Sequence, residues 1–479
     1  MDRQILPISA LPAWALLNNV IFRNVKVEYL SGTKWFGLIS ENTLRSESAI
    51  DLTALVAVPP DVILSAKSVA EYAKLDHYFQ QLLESAGGRS RREDIMLYLL
   101  MQISIGSLHI KERNFGLSSP WTEYVRMLPA EVTLPTMWRG EELGLLKGTS
   151  LEAVLNAKIR ALEEEFEFLT EVTRELPWCQ KYWWEADKLK LHDWIQLDAW
   201  FRSRSLDLPP LGECMAPCID MVNHSNEPNS YYESTLEGGI ALLLRPHVEL
   251  EPNSEITITY GETKSHAEML YSYGFIDQES KILSLTIFLQ PLDDDPLGKA
   301  KLATYPGPPT LQLYCEDGRF EWKCSFVYFM CLNEEDGLEF KVLQQNDGYQ
   351  SCLQVFWQNL DVTDKTDDFK LLIADHPLLK VFELRVVTIL HQQVEQQIKR
   401  LNHGDEIIEQ LKTGNLFPRH KMYATQLRES ERYILEQSLE SLIKQKNNLL
   451  ENYTVKEYLS PMATSTQELD ISDDESDFS

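Results

Sequence analysis

A block of helical periodicity set between two β-rich stretches is the feature that most constrains how this chain can fold. Residues 25–65 carry short β-prone runs, among them Val25-Lys26-Val27-Glu28-Tyr29 and 52–58, split by Ser31-Gly32-Thr33 and by Pro59-Pro60. Runs bounded by turn residues in this way read as a small antiparallel sheet. From about 67 to 205 the period becomes helical. Tyr72, Leu75, Tyr78, Phe79, Leu82 and Leu83 share one stripe, Ile95, Leu99, Leu100 and Ile103 another, and 151–169 is amphipathic and rich in Ala, Glu and Leu. Strand patterns return between 214 and 290, at 240–244, 256–259 and 282–290. The strands on either side of the helical block are therefore expected to fold together, as one discontinuous β domain with the helices inserted.

Elsewhere the pattern is mostly helical. Residues 5–22 are apolar around Trp14, with one or two helical turns at 13–17, and Tyr182-Trp183-Trp184 reads as core. Beyond 290, helical periodicity covers 366–372, 379–402, 404–412 and 424–452, with Val387, Leu390, Val394 and Ile398 forming a core stripe. The last dozen residues are acidic without a basic residue, which predicts a disordered tail in which Ser472 has the context of an acidic-directed phosphorylation site.

The net charge of −28 excludes a generally basic, nucleic-acid-binding surface and suits either solubility or attraction to a basic protein partner. Seven cysteines without a regular framework suggest reduced thiols in an intracellular protein. No run of about 18 apolar residues is present, so no membrane span is expected. Cys214, Cys218 and His224 have loosely metal-like spacing but lack a fourth ligand, so no metal is expected.

Chemistry concentrates in Asp220-Met221-Val222-Asn223-His224-Ser225, where the apolar approach Pro217-Cys218-Ile219 opens into the turn Asn226-Glu227-Pro228-Asn229. Such a junction presents binding groups from a rigid scaffold, although Asn, His and Ser also serve there as turn and capping residues. Tyr260-Gly261 and Tyr273-Gly274-Phe275 follow at strand and helix ends. Gly37, in Trp35-Phe36-Gly37-Leu38, permits close approach of a ligand or a neighbouring strand. Arg202 and Arg204 at a helix end can satisfy carbonyls or hold an acidic group.

In this order, these pieces resemble the SET-domain methyltransferases of the Rubisco large-subunit methyltransferase-like branch, over about residues 10–450. Further pieces of the resemblance are Trp14 with Asn18 and Phe22, Val58-Pro59-Pro60, the insert pattern Trp121, Tyr124, Leu128-Pro129, Pro135, Trp138 and Leu146-Lys147-Gly148-Thr149, and Ser203-Arg204. Two departures stand out: the glycine segment keeps one glycine and has Lys34 where an acidic residue is usual, and no Cys-rich zinc cluster follows the domain.

The resemblance implies an α+β fold: a discontinuous β-rich SET domain with a pseudoknot, an inserted helical subdomain and a C-terminal all-α domain. The expected division is 1–66 and 206–290 for the two SET halves, 67–205 for the insert, 291–460 for a substrate-binding domain and 461–479 for the tail. It implies methyl transfer from S-adenosylmethionine to a protein lysine. Phe36, Leu38, Ser203, Arg204, Asp220, Asn223, His224 and Tyr260 would hold the cofactor. Tyr260 and Tyr273 would be catalytic. Arg204, Asp220, Tyr273 and either Tyr231 or Tyr232 would line the lysine channel. The expected partner is a basic non-histone protein, with a ribosomal protein or translation elongation factor first. The chain would act as a monomer in the cytoplasm, with the nucleus as a second compartment. The competing readings are methylation of another side chain such as histidine, and an inactive SET-fold binding module.

Overall fold

The computed structural model describes residues 3–30, 36–46, 54–107, 115–185, 188–209, 211–292, 294–344, 351–410 and 416–460. The acidic tail with Ser472, and the turn Ser31-Gly32-Thr33 with Lys34 and Trp35, lie outside the described residues. The chain divides into two compact units. One comprises 1–139, 153–264 and 268–280; the other comprises 140–152, 265–267 and 281–479.

In the first unit, strands from the two ends of the helical block pair directly. Ala54–Val58 lies antiparallel to Ile240–Leu244, which also pairs with Ser230–Ser234. Val25–Tyr29 pairs with Phe36–Ser40, which pairs antiparallel with Glu255–Ile258. The fourth strand of that sheet, Asn223–His224, runs parallel to Glu255–Ile258, with Thr257 opposite Asn223 and Ile258 opposite His224. It is the only parallel pairing among the described strands. Leu64–Ser65 pairs with Gly212–Met215 in a separate three-stranded sheet completed by Ser205–Leu208, so the two ends of the helical block come together there.

The intervening helices are bounded by local chemistry. Ser90 caps Arg91–Ile105, its hydroxyl accepting from the Glu93 amide at 3.1 Å and donating to the Glu93 carboxylate at 3.0 Å. Every residue from Ile95 to Ser104 is buried, so this helix is the hub of the insert. The Tyr182-Trp183-Trp184 run is a one-turn π-helix whose Trp183 is fully buried.

In the second unit the expected helices are present, but an all-helical region is not. Leu379–Gln410 and Pro418–Leu450 are long helices packed on each other. Ahead of them stand two three-stranded antiparallel sheets, Ser284–Phe288 with Thr310–Glu316 and Arg319–Lys323, and Leu338–Gln344 with Ser351–Trp357 and Leu360–Asp361. The helical reading is corrected here because these strands alternate buried and exposed residues, as Leu311, Gln312 and Leu313 do, over too few positions to rival the long helical stripes.

The break expected between 402 and 404 is also absent, because the helix runs through Gly404. A Cβ there would lie 2.1 Å from the Lys147 carbonyl oxygen, and one on Gly148 would lie 2.2 Å from that of Arg400. Two backbones cross at these glycines. The glycines answer a packing requirement, not a break in the helix.

Glu431, on Pro418–Leu450, is almost wholly buried in the same unit. Its carboxylate accepts from the Ser150 amide at 3.0 Å and from the Ser150 hydroxyl at 2.5 Å. Burial pushes its pKa up to about 7, although the Ser150 bonds and the Arg428 charge pull the other way. The folded form therefore holds a proton that the unfolded form has released, between an ordinary carboxylate pKa of 4.5 and about 7. Stability is fully present below that window and falls as pH rises through it, by on the order of 3 kcal/mol. Urea titrations at pH 5 and pH 8 should show this fall in the native chain and lose most of it in Glu431→Gln. Equal pH dependence in the two proteins would sink the assignment.

Candidate active site

Tyr260 stands just past the end of Glu255–Ile258, beside the parallel Asn223–His224 strand. Its amide donates to His224 Nδ1 at 3.0 Å, which fixes the neutral ring with its proton on Nε2. Its hydroxyl donates to the Val222 carbonyl at 2.8 Å. Burial holds the phenol pKa far above its usual value, so it stays protonated. The Tyr273 hydroxyl donates to the Tyr260 carbonyl at 3.2 Å, and the two rings lie 4.5 Å apart at 35°. Phe275 adds an edge at 6.3 Å from Tyr260.

A cavity of about 450 Å³ opens against this tyrosine pair, lined also by Ser203, Arg204, Asp220 and Tyr232. Asp220 is buried at its wall. Arg204 Nη1 reaches both its carboxylate and its carbonyl at 3.1 Å, and the Tyr124 hydroxyl donates to the other carboxylate oxygen at 2.5 Å. Burial pushes the Asp220 carboxyl up, against the pull of Arg204 and Tyr124. Tyr124 in turn accepts from the Cys218 amide at 2.8 Å, where Cys218 sits at a φ of 73°. This left-handed residue turns the chain into the Asp220 segment. The Ser203 hydroxyl donates back to the Ala199 carbonyl at 2.6 Å and so is occupied within its own helix.

Asn223, Phe36, Leu38 and His224 do not line that cavity. They form a second group. Asn223 Nδ2 donates to the Phe36 carbonyl at 3.1 Å and to Glu255 Oε1 at 2.9 Å, which leaves Oδ1 free to accept. Gly37 makes room for this fork, since a Cβ there would come within 2.6 Å of Asn223 Nδ2. Leu38 is fully buried beneath. Tyr260 touches both groups, through His224 on one side and the cavity on the other.

The two candidate channel residues separate. On Ser230–Ser234, Tyr232 faces the cavity, while Tyr231 is on the opposite face with Arg245 6.0 Å from its ring. Adjacent strand residues point to opposite faces, so only one could serve. Arg202 and Arg204 hold acidic groups and carbonyls alike, Arg202 donating to Asp198 at 2.9 Å and to the Tyr271 carbonyl at 2.7 Å. Sequence reasoning missed Glu255, Asp198, Arg92 and Lys158, whose partners lie far away in the chain. Tyr124 was legible only as part of an insert pattern. Among the described residues, no cluster of three or more His, Cys, Asp or Glu is arranged for a metal ion. None of their helices is long and apolar enough to cross a membrane.

No protein-family model matches the chain. It is 28% identical over 349 residues to SET domain-containing protein 8 of Schizosaccharomyces pombe, covering 71% of this chain and 76% of that protein. It is 26% identical over 208 residues to the [fructose-bisphosphate aldolase]-lysine N-methyltransferase of Arabidopsis thaliana, and 22% identical over 307 residues to the Rubisco large subunit N-methyltransferase of Pisum sativum. The matched regions span 42% and 55% of those two plant proteins, and 42% and 60% of this chain. Among solved structures, the SET domain of LSMT bound to lysine and AdoHcy superposes with a TM-score of 0.65 at 17% identity, covering 95% of each chain. Rubisco LSMT bound to AdoMet gives 0.64 at 18% identity, covering 95% of this chain and 96% of that one. The fold is that of the LSMT SET domain with its C-terminal helical region.

Proposed function

We propose that this chain, a homologue of the SET-domain proteins and the Rubisco-type methyltransferases, transfers a methyl group from S-adenosylmethionine to a lysine of a non-histone protein. The observation that carries this reading is the placement of Tyr260, bonded to His224 on one side and walling the cavity with Tyr273 and Tyr232 on the other. The relatives named as lysine N-methyltransferases support the same reaction class.

The residues present fit the cofactor. Asn223 Oδ1 is an acceptor suited to an ammonium, and the Gly37 cradle keeps the backbone at Phe36 and Leu38 within reach. When bound, S-adenosylmethionine supplies an already activated methyl group, so the protein's part is alignment and exclusion of water. The lysine amine must be neutral to react, and a buried aromatic channel lowers its pKa because burial disfavours the cation. Tyr260 does not take the proton, being a phenol held protonated by burial. With its own hydrogen given to Val222, its oxygen presents lone pairs to an amine N–H and orients the nitrogen. The Tyr260 and Tyr273 faces tolerate the cationic product.

For the substrate, we favour a basic component of the translation machinery, met in the cytoplasm, with the nucleus a second compartment. The net charge of −28 supports a basic partner. The test uses purified protein, labelled S-adenosylmethionine and an extract from cells lacking this gene. One band labelled by the native chain and not by Asn223→Ala supports transfer, and mass spectrometry of that band separates lysine from histidine. No labelled band, together with no cofactor binding by calorimetry, removes the enzyme and leaves a binding module. On the identified substrate, Tyr232→Ala is expected to slow transfer about tenfold or more through lost alignment. Tyr231→Ala should stay within about twofold, since it faces away from the cavity. Equal losses in single-turnover assays would contradict this division.

A further inference from the structure

Beyond the tyrosines, the same cavity is lined by Arg92, Lys158 and Arg202, brought together from the helices Arg91–Ile105, Leu151–Thr173 and Leu191–Arg204. All three point their charge at one carboxylate, the fully buried Asp198, at 2.8, 2.8 and 2.9 Å. The other acid in contact is Glu165, which pairs with Arg92 and accepts from Trp194 Nε1 at 3.0 Å. Three cations thus face two carboxylates, an excess of one positive charge in a mostly buried setting. Among the described residues, Lys158 has Asp198 as its single ion-pair partner, and Arg202 Nε is buried without a hydrogen bond.

Burial lowers the Lys158 pKa and Arg92 and Arg202 lower it further, against the pull of Asp198. The same three cations outweigh burial at Asp198 and keep its carboxyl below the ordinary range. The remaining charges on the cavity wall are Arg204, paired with Asp220, together with Lys264, Asp207 and Glu213. Asp207 and Glu213 stand opposite each other on the paired strands Ser205–Leu208 and Gly212–Met215, the hairpin that follows the helix Leu191–Arg204. The cavity is therefore bipolar, with acids on the hairpin and surplus cations on the helices.

We infer that the helical wall is a subsite for a carboxylate of the substrate protein, an Asp or Glu close in sequence to the target lysine. This rests on the lysine reading of the tyrosine site. A carboxylate entering there neutralises the surplus charge and gives Lys158 a second acceptor beside Asp198. The overall acidity of the chain attracts a basic protein at long range, while this wall selects one acidic side chain at contact.

The test is binding of fluorescent lysine-centred heptapeptides, with Glu, Gln or Lys scanned through the six flanking positions and Gly elsewhere. Affinities are read by anisotropy on the full chain with saturating S-adenosylhomocysteine. At one or two positions Glu should bind about tenfold tighter than Gln, the scale of one charge-assisted hydrogen bond. Lys158→Met should bring the two to near parity, and Lys158→Glu should make Lys peptides bind tighter than Glu peptides. Retained S-adenosylhomocysteine affinity shows that a variant is folded; if Lys158→Glu loses it, Lys158→Met decides. Equal binding of Glu and Gln at every position, a Glu preference that survives in the variant, or no peptide binding overturns the subsite. Methyl transfer to the same peptides is scored separately, so a Glu preference without transfer removes the lysine methyltransferase reading alone.

Discussion

Asn223→Ala is expected to lower affinity for S-adenosylmethionine by about 100-fold and transfer at least as much, with the fold retained. The amide is where two acceptors converge. Its Nδ2 serves the Phe36 carbonyl and the Glu255 carboxylate together, so truncation removes the acceptor proposed for the cofactor and also frees the groups that orient it. Gly37→Ala should reproduce the defect from the other side. The added Cβ would fall 2.6 Å from Asn223 Nδ2 and 2.5 Å from Leu30 Cδ1, both ends of flexible side chains, so the amide moves and the strand does not. Calorimetry with S-adenosylhomocysteine, beside thermal melts, reads both variants. Native affinity in Gly37→Ala would sink this account of the glycine.

Gly404→Ala carries the second large effect, on stability. In a helix interior, Gly to Ala ordinarily stabilises by about 1 kcal/mol. Here the sign should reverse, because the new Cβ meets Lys147 backbone at 2.1 and 2.8 Å, where nothing can rotate away. A loss of about 3 kcal/mol or more is expected, shared with Gly148→Ala, whose Cβ meets the Arg400 backbone and whose φ is +79°. Gly140→Ala, with open space around the added carbon, is the control. Urea denaturation in which Gly404→Ala is no less stable than Gly140→Ala would show that the crossing is looser than the distances imply.

These glycines show where a linear reading of the chain stops. Apolar runs and stripes locate elements well when these are buried along their length, so the strand Ile240–Leu244 and the helix Arg91–Ile105 were legible, as was the β-prone run Val25–Tyr29. They misjudge a residue whose identity answers to a distant segment. The break read between 402 and 404 fails because the reason for Gly404 lies at Lys147. The phase of Ser230–Ser234 is set by its pairing with Ile240–Leu244, so the strand's own sequence could not choose between Tyr231 and Tyr232. Glu255 and Asp198 had no signal at all. Each is one acid among 73 Asp and Glu residues until the fold brings Asn223, or three cations, against it.

The short parallel pairing of Asn223–His224 with Glu255–Ile258 carries one more consequence. Two residues past its end, Tyr260 is tied back by its amide to His224 and by its hydroxyl to Val222. On the proposed reading, the grip on one reactant and the wall facing the other are thus tied to a single ladder. Divergence that reshapes one pocket through these residues disturbs the other. A lineage of such enzymes can change its protein target without losing its methyl donor only by varying positions off the ladder, such as Tyr232 and the helices that bear Arg92 and Lys158.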